Sequence, residues 1–139
     1  MHLSSVIGRT IVTLVGALLL LDGVLQFISP PMMVEALTHA GFAPDSGPRL
    51  AAITLICAVL LVIPRTAPLG AVLSTGFLGG AITAHVRIDG LGTPPQMICL
   101  ALGALIWLGL CLADARVRAF IPFRAPAQTN RYPGPWASS

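Results

Sequence analysis

The sequence predicts an all-α membrane protein, a four-transmembrane-helix bundle with a short interfacial helix in the first external loop. Three observations carry that prediction. Of 139 residues, 55% are hydrophobic and only 9% charged, with a mean hydropathy of +0.87. A soluble domain carries about 25% charged residues, so this surface suits lipid rather than water. None of the 12 prolines interrupts an apolar run; they lie at or beyond the run ends, where helix ends and turns belong. The basic residues are all arginine and stand at the ends of those runs. The net charge of +3 therefore forms no basic stripe. The bilayer is the expected partner, and nucleic acid is not.

The spans fall at about residues 6–28, 49–64, 68–87 and 95–114. About 20 helical residues cross a hydrocarbon core of about 30 Å, and about 17 is the lower limit. The first, third and fourth runs meet it. The second, Leu50–Ile63, is shorter and must borrow flanking residues or thin the bilayer locally. Arg9 followed by Thr10–Leu21 has the look of a secretory signal, but Asp22 ends the run and no small-x-small cleavage pattern follows. The segment is expected to remain as the first span.

The longest connection runs from Ser29 to Pro48. Within it Met33, Ala36, Leu37 and Ala40 share one helical face, which predicts a short helix in the interface, ended by Gly41. Residues 1–122 form the membrane domain, and residues 123–139, rich in Pro, Ala and polar side chains, a flexible tail in which Trp136 lacks an apolar run for anchoring. With four spans, Arg9, Arg65, Arg116, Arg118, Arg124 and Arg131 share one side against Arg49 and Arg87 on the other. That bias puts both termini of a multi-pass membrane protein in the cytoplasm.

Cys57, Cys99 and Cys111 lie inside apolar spans, with no Cys-x-x-Cys pair and no histidine at a metal spacing. They read as small buried hydrophobes, and no metal site is expected. Asp22 is different. An ionised carboxylate inside a span costs about 2.5–3.5 kcal/mol, so it normally faces a partner, a cavity or water. Gln26 follows one turn later on the same face. The alternative for Asp22 is a protonated carboxyl that only tolerates its site.

In the third span Gly76, Gly80 and Ala84 form a small-residue stripe, which reads as helix packing within one chain or between two. Thr83 and Arg87 border it. His85 is rotated from Thr83 by about 200°, so at most one of His85 and Arg87 meets Asp22. In this topology Asp22, Gln26, Arg49, Thr54, His85, Arg87 and Gln96 all occupy the outer half, while the inner half has almost no polar side chain. An outward-opening polar pocket is expected, with Asp22 neutralised by Arg87 or Arg49 and His85 able to exchange a proton near neutral pH. End-snorkelling is the alternative for Arg49, Arg87 and Gln96. Candidate ligand-binding residues are Asp22, Gln26, Thr54, Thr83, His85 and Arg87, and no catalytic role is assigned. At the inner end Asp114 and Arg118 are expected to pair one turn apart.

The run Ile63-Pro64-Arg65-Thr66-Ala67-Pro68-Leu69-Gly70-Ala71-Val72-Leu73, with Gly79-Gly80-Ala81-Ile82-Thr83-Ala84-His85-Val86-Arg87 after it, resembles the DoxX-like family of small four-span bacterial membrane proteins. Asp22-Gly23, Pro30 and Gly41 fit the same pattern, and the resemblance covers about Val6 to Phe123. It implies kinship with membrane subunits of a thiosulfate:quinone oxidoreductase and with partners of redox enzymes in oxidative or thiol stress. Two positions depart from the pattern. Gln26 stands where relatives commonly carry a lysine, and Thr54 where many carry an acidic residue, which leaves Asp22, His85 and Arg87 as the polar core.

Three functions fit these residues. One is a redox-associated subunit binding a quinone; no haem, flavin or iron–sulfur signature is evident, so electrons would come from a partner enzyme. Another is a non-catalytic scaffold that docks a partner protein or forms a homo-oligomer. A solute or proton pathway ranks last, because the inner half lacks polar groups to complete a route.

Overall fold

The computed structural model describes residues 2–120. The tail expected at 123–139 and Trp136 lie outside the described residues. Six helices follow one another: α1 (His2–Ile28), α2 (Pro31–His39), α3 (Gly47–Val62), α4 (Ala67–Asp89), α5 (Pro94–Ala113) and α6 (Ala115–Phe120). Leu3–Ile28, Ala67–Asp89 and Pro94–Ala113 are long and apolar enough to cross a membrane, while α3 is a shorter apolar helix of 16 residues. At 1.5 Å per residue α3 measures about 24 Å.

Prolines set the helix starts. Pro31, Pro48, Pro68 and Pro94 or Pro95 occupy the first turns of α2, α3, α4 and α5, where a missing N–H costs nothing. Helix α1 ends at Ser29, whose φ of 49° turns the chain into the left-handed region. The Ser29 hydroxyl donates to the Gln26 carbonyl at 2.6 Å, satisfying one of the carbonyls that the helix end leaves free. Helix α2 lies where the sequence placed an interfacial helix, and Gly41, at φ 79°, stops it.

The four apolar helices form a ring. Helix α1 packs on α3 and α5, and α4 closes the circle by packing on the same two. The core contains Val12, Val15, Leu19, Ala58, Leu61, Ala71, Leu78, Ile106 and Leu110. Outward-facing side chains are equally apolar: Leu14, Leu18, Ile56, Val72, Leu100 and Leu108 are each more than half exposed. Exposed apolar residues on all four of these helices are what a lipid-facing surface requires.

Glycines bring the helices close, though not the ones in the predicted stripe. A methyl on Gly8 would lie 2.5 Å from both the Ala113 nitrogen and the Gly109 carbonyl oxygen, so α1 and α5 touch backbone to backbone. A methyl on Gly70 would run into the Leu61 amide and approach the Leu60 carbonyl carbon to 2.7 Å, joining α4 to α3 beside their turn. By contrast, methyls on Gly76, Gly79 and Gly80 would meet no atom within 4 Å. Among the described residues nothing packs against Gly76 and Gly80, because that face of α4 borders open space.

Two polar contacts brace the ring. Trp107 Nε1 on α5 donates to Thr75 Oγ1 on α4 at 3.0 Å. Gln96 is buried: its Oε1 accepts from Gly92 N at 2.9 Å and its Nε2 donates to Gly90 O at 2.6 Å. It ties the α4–α5 loop rather than snorkelling. The expected Asp114–Arg118 ion pair is not formed. The Asp114 carboxylate instead accepts from the Arg116 amide at 2.8 Å and caps α6, a shorter-range bond that needs no long side chain held in place.

Gly70→Ala is expected to destabilise the bundle by about 1–3 kcal/mol, because backbone atoms must move aside. Gly79→Ala should not lower the unfolding midpoint. Thermal melts of the detergent-solubilised variants, side by side, measure the difference.

Candidate functional site

The space left open beside α4 is a cavity of about 750 Å³. Helices α3 and α4 form its flanks, α2 lies across one end, and α1 contributes its floor. The predicted face of α2 (Met33, Ala36, Leu37 and Ala40) lines it. So do Ile53, Ile56 and Cys57 from α3, with Val72, Gly76, Gly80 and Ala84 from α4. Ile53, Ile56 and Val72 are at least half exposed, so the cavity opens sideways, onto the apolar outer surface of the ring between α3 and α4.

Three polar side chains reach this apolar space: Asp22, Gln26 and His85. Asp22 and Gln26 stand one turn apart on α1, and Gln26 Nε2 donates to Asp22 Oδ2. Gln26 is buried and Asp22 is half-buried, so the carboxylate has a side-chain amide as its hydrogen-bond partner. This corrects the expected neutralisation by arginine. Arg49 is 3.3 Å from Asp45 at the surface, and Arg87 has no ion-pair partner among the described residues. Both guanidinium groups stand at exposed helix ends, whereas Asp22 lies within α1, where its near neighbour Gln26 satisfies it locally.

His85 lines the cavity from α4 and has Asp89 one turn beyond it, Nδ1 to Oδ2 at 3.9 Å. Arg87 and Thr83 are exposed and turned away. The Thr83 hydroxyl donates back to the Gly79 carbonyl at 2.9 Å. Thr54 is fully buried and donates to the Leu50 carbonyl at 3.0 Å, so it belongs to the core face of α3 with Ala51, Ala58 and Leu61. Of the six sequence-predicted ligand-binding residues, the structure brings together Asp22, Gln26 and His85 and leaves out Thr54, Thr83 and Arg87.

Gly76, Gly80 and Ala84 form one wall of the cavity, a role that stripe spacing cannot distinguish from helix packing. Cys57 lines it too, although nothing in its spacing marked it. Phe42 and Phe77 add aromatic surface. No group of three or more His, Cys, Asp or Glu that could hold a metal occurs among the described residues.

The family model described as the DoxX-like family matches residues 10–113. The chain belongs to the DoxX-like family. No curated protein and no solved structure matches it. The match takes in α3, α4 and α5 whole and α1 from Thr10 onward, so every residue lining the cavity of this DoxX-like membrane protein lies inside it.

Filling the open wall tests the cavity directly. Gly80→Leu is expected to leave the unfolding midpoint of this DoxX-like protein unchanged while weakening binding of an environment-sensitive apolar dye several-fold. Dye titration against both proteins in the same detergent is the measurement.

Proposed function

We propose that the protein is a redox-associated membrane subunit whose outward cavity binds a quinone. The supporting observation is the convergence of Asp22, Gln26 and His85 on an otherwise apolar space of about 750 Å³. Ligand pockets commonly measure about 300–1,000 Å³ and combine apolar walls with a few placed polar groups. A quinone asks for that combination. Its ring needs apolar or aromatic contact, supplied by Phe42 and Phe77, and its carbonyl oxygens need hydrogen-bond donors.

The polar residues have distinct tasks in this proposal. Gln26 spends one amide hydrogen on Asp22 and retains a second for a quinone oxygen. His85 donates to the other oxygen and exchanges protons with the exposed Asp89. Reduction of a quinone to a quinol takes two electrons and two protons. The electrons come from a partner redox enzyme, and the protons enter through His85 and Asp22. The sideways opening between α3 and α4 admits a ligand from the bilayer.

The topology belongs to the same proposal. The short α3 crosses as a fourth span by drawing on its flanks, and both termini face the cytoplasm. One observation favours a second function. No described residue covers Gly76 and Gly80, and a helix of a partner protein seated there would make the chain a non-catalytic scaffold.

Purification in native-lipid particles, followed by mass spectrometry of extracted small molecules, separates the two. Quinone enriched with the wild type and depleted at least several-fold in folded Asp22→Asn and His85→Ala is the expected result. Ordinary lipid alone, equal in all three, favours the scaffold. A reporter fused after Ser139 should read cytoplasmic, and an external readout defeats the orientation.

A further inference from the structure

At the opposite end of the bundle from Asp22 lies a second cavity, of about 370 Å³. We infer that it is a binding site for a phosphate group, with the headgroup of an anionic phospholipid as its occupant. Its lining brings Arg9 of α1 and Arg116 of α6 to one space, together with Thr13, Ala67, Pro68 and Asp114. The two arginines are far apart in sequence and are juxtaposed only because α1 and α5 touch at Gly8 and Gly109.

Neither guanidinium has an ion-pair partner among the described residues. The one carboxylate in the cavity, Asp114, accepts the Arg116 backbone N–H at 2.8 Å, so it caps α6 and neutralises neither side chain. The balance of the site is one positive charge. Paired guanidinium forks match phosphate oxygens with directed, charge-assisted hydrogen bonds.

A second feature points to the same ligand chemistry. Helix α4 begins at this cavity, and its N-cap Thr66 makes no capping hydrogen bond with its side chain. The Thr66 hydroxyl instead donates backward to the Leu60 carbonyl at 2.8 Å. Pro68 has no N–H and the Gly70 N–H is taken by the Thr66 carbonyl at 2.9 Å, so in the first turn of α4 the Ala67 and Leu69 amides are left for another acceptor, at the end of a helix whose dipole favours an anion.

The rest of the lining selects a lipid over a free ion. Val12, Leu61, Val62 and Leu110 share the cavity with the arginines. Around Arg9 on α1, Val6, Ile7 and Leu14 are 59%, 46% and 61% exposed and present an apolar flank to an acyl chain. Basic pockets between membrane helices are a recurrent mode of headgroup recognition.

The test uses the full chain in detergent micelles, with lipid adducts counted by native mass spectrometry. Phosphatidylglycerol is titrated against phosphatidylcholine, and inorganic phosphate is added as a competitor in a separate arm. Wild type is compared with Arg9→Gln, Arg116→Gln and Arg118→Gln, each checked for an unchanged unfolding midpoint. Arg118 stands at the same end but does not line the cavity, so it controls for general surface charge.

Preferential retention of phosphatidylglycerol by wild type and Arg118→Gln, weakened about tenfold in the other two variants, is the expected result. Equal retention by all four proteins overturns the inference, as does an equal loss in Arg118→Gln. Displacement by inorganic phosphate with no lipid preference upholds the phosphate site and overturns the lipid as its occupant. Should one arginine variant fail to fold, Thr13→Val, expected to weaken retention several-fold, stands in for it, and full retention by that variant overturns the inference.

Discussion

The close approach of helix backbones at a handful of glycines is the constraint on which the rest of the molecule depends. Lipid supplies no hydrophobic force between apolar helices, so association rests on surface fit and dispersion. Gly8 against Gly109 and Ala113 joins α1 to α5, Gly16 and Gly23 seat Val62 and Leu55 of α3 on α1, and Gly70 locks α4 to α3. Three sides of the ring thus close by direct contact at small residues. The fourth, between α4 and α5, relies on Leu78, Ile106 and the Trp107–Thr75 hydrogen bond.

The positions of the open spaces follow from where this contact is made. Helices α3 and α4 are closest at Gly70, next to their turn, and the large cavity lies between them further from it. Only a few polar groups interrupt the spans, and most are satisfied within a turn or two of their own helix. Gln26 serves Asp22, Thr54 serves Leu50, and Thr75 both receives Trp107 and donates to Ala71 at 2.7 Å. Local satisfaction leaves the ring free to assemble on shape alone.

Much of the architecture was legible in the sequence because it is written in one-dimensional signals. Proline positions and apolar runs mark the helix limits, and the shared face of Met33, Ala36, Leu37 and Ala40 marks α2. The DoxX-like membership was legible from the motifs around Arg65 and His85. Partnerships across helices were not. Asp22 was expected to find an arginine, yet the local amide of Gln26 lies within a single turn and needs no long, entropically costly side chain. Glycine spacing likewise could not separate Gly8, Gly70 and Gly109, which abut backbone of a neighbouring helix, from Gly76 and Gly80, where an added methyl would meet no atom of the described residues. Thr54 and Cys57 lie three positions apart on α3 and both are buried, yet only Cys57 also borders the cavity, a difference set by the rotation of that helix.

The bare wall formed by Gly76 and Gly80 has an evolutionary consequence. Substitutions in a tightly packed core are filtered by the loss of stability they cause, which restricts what drift can explore. A side chain added at either glycine meets open space. The volume available to an occupant can therefore be trimmed in small steps, by ordinary point mutations, with the ring of helices unaffected. Selection can retune what this protein accommodates without first having to rebuild the scaffold that holds it.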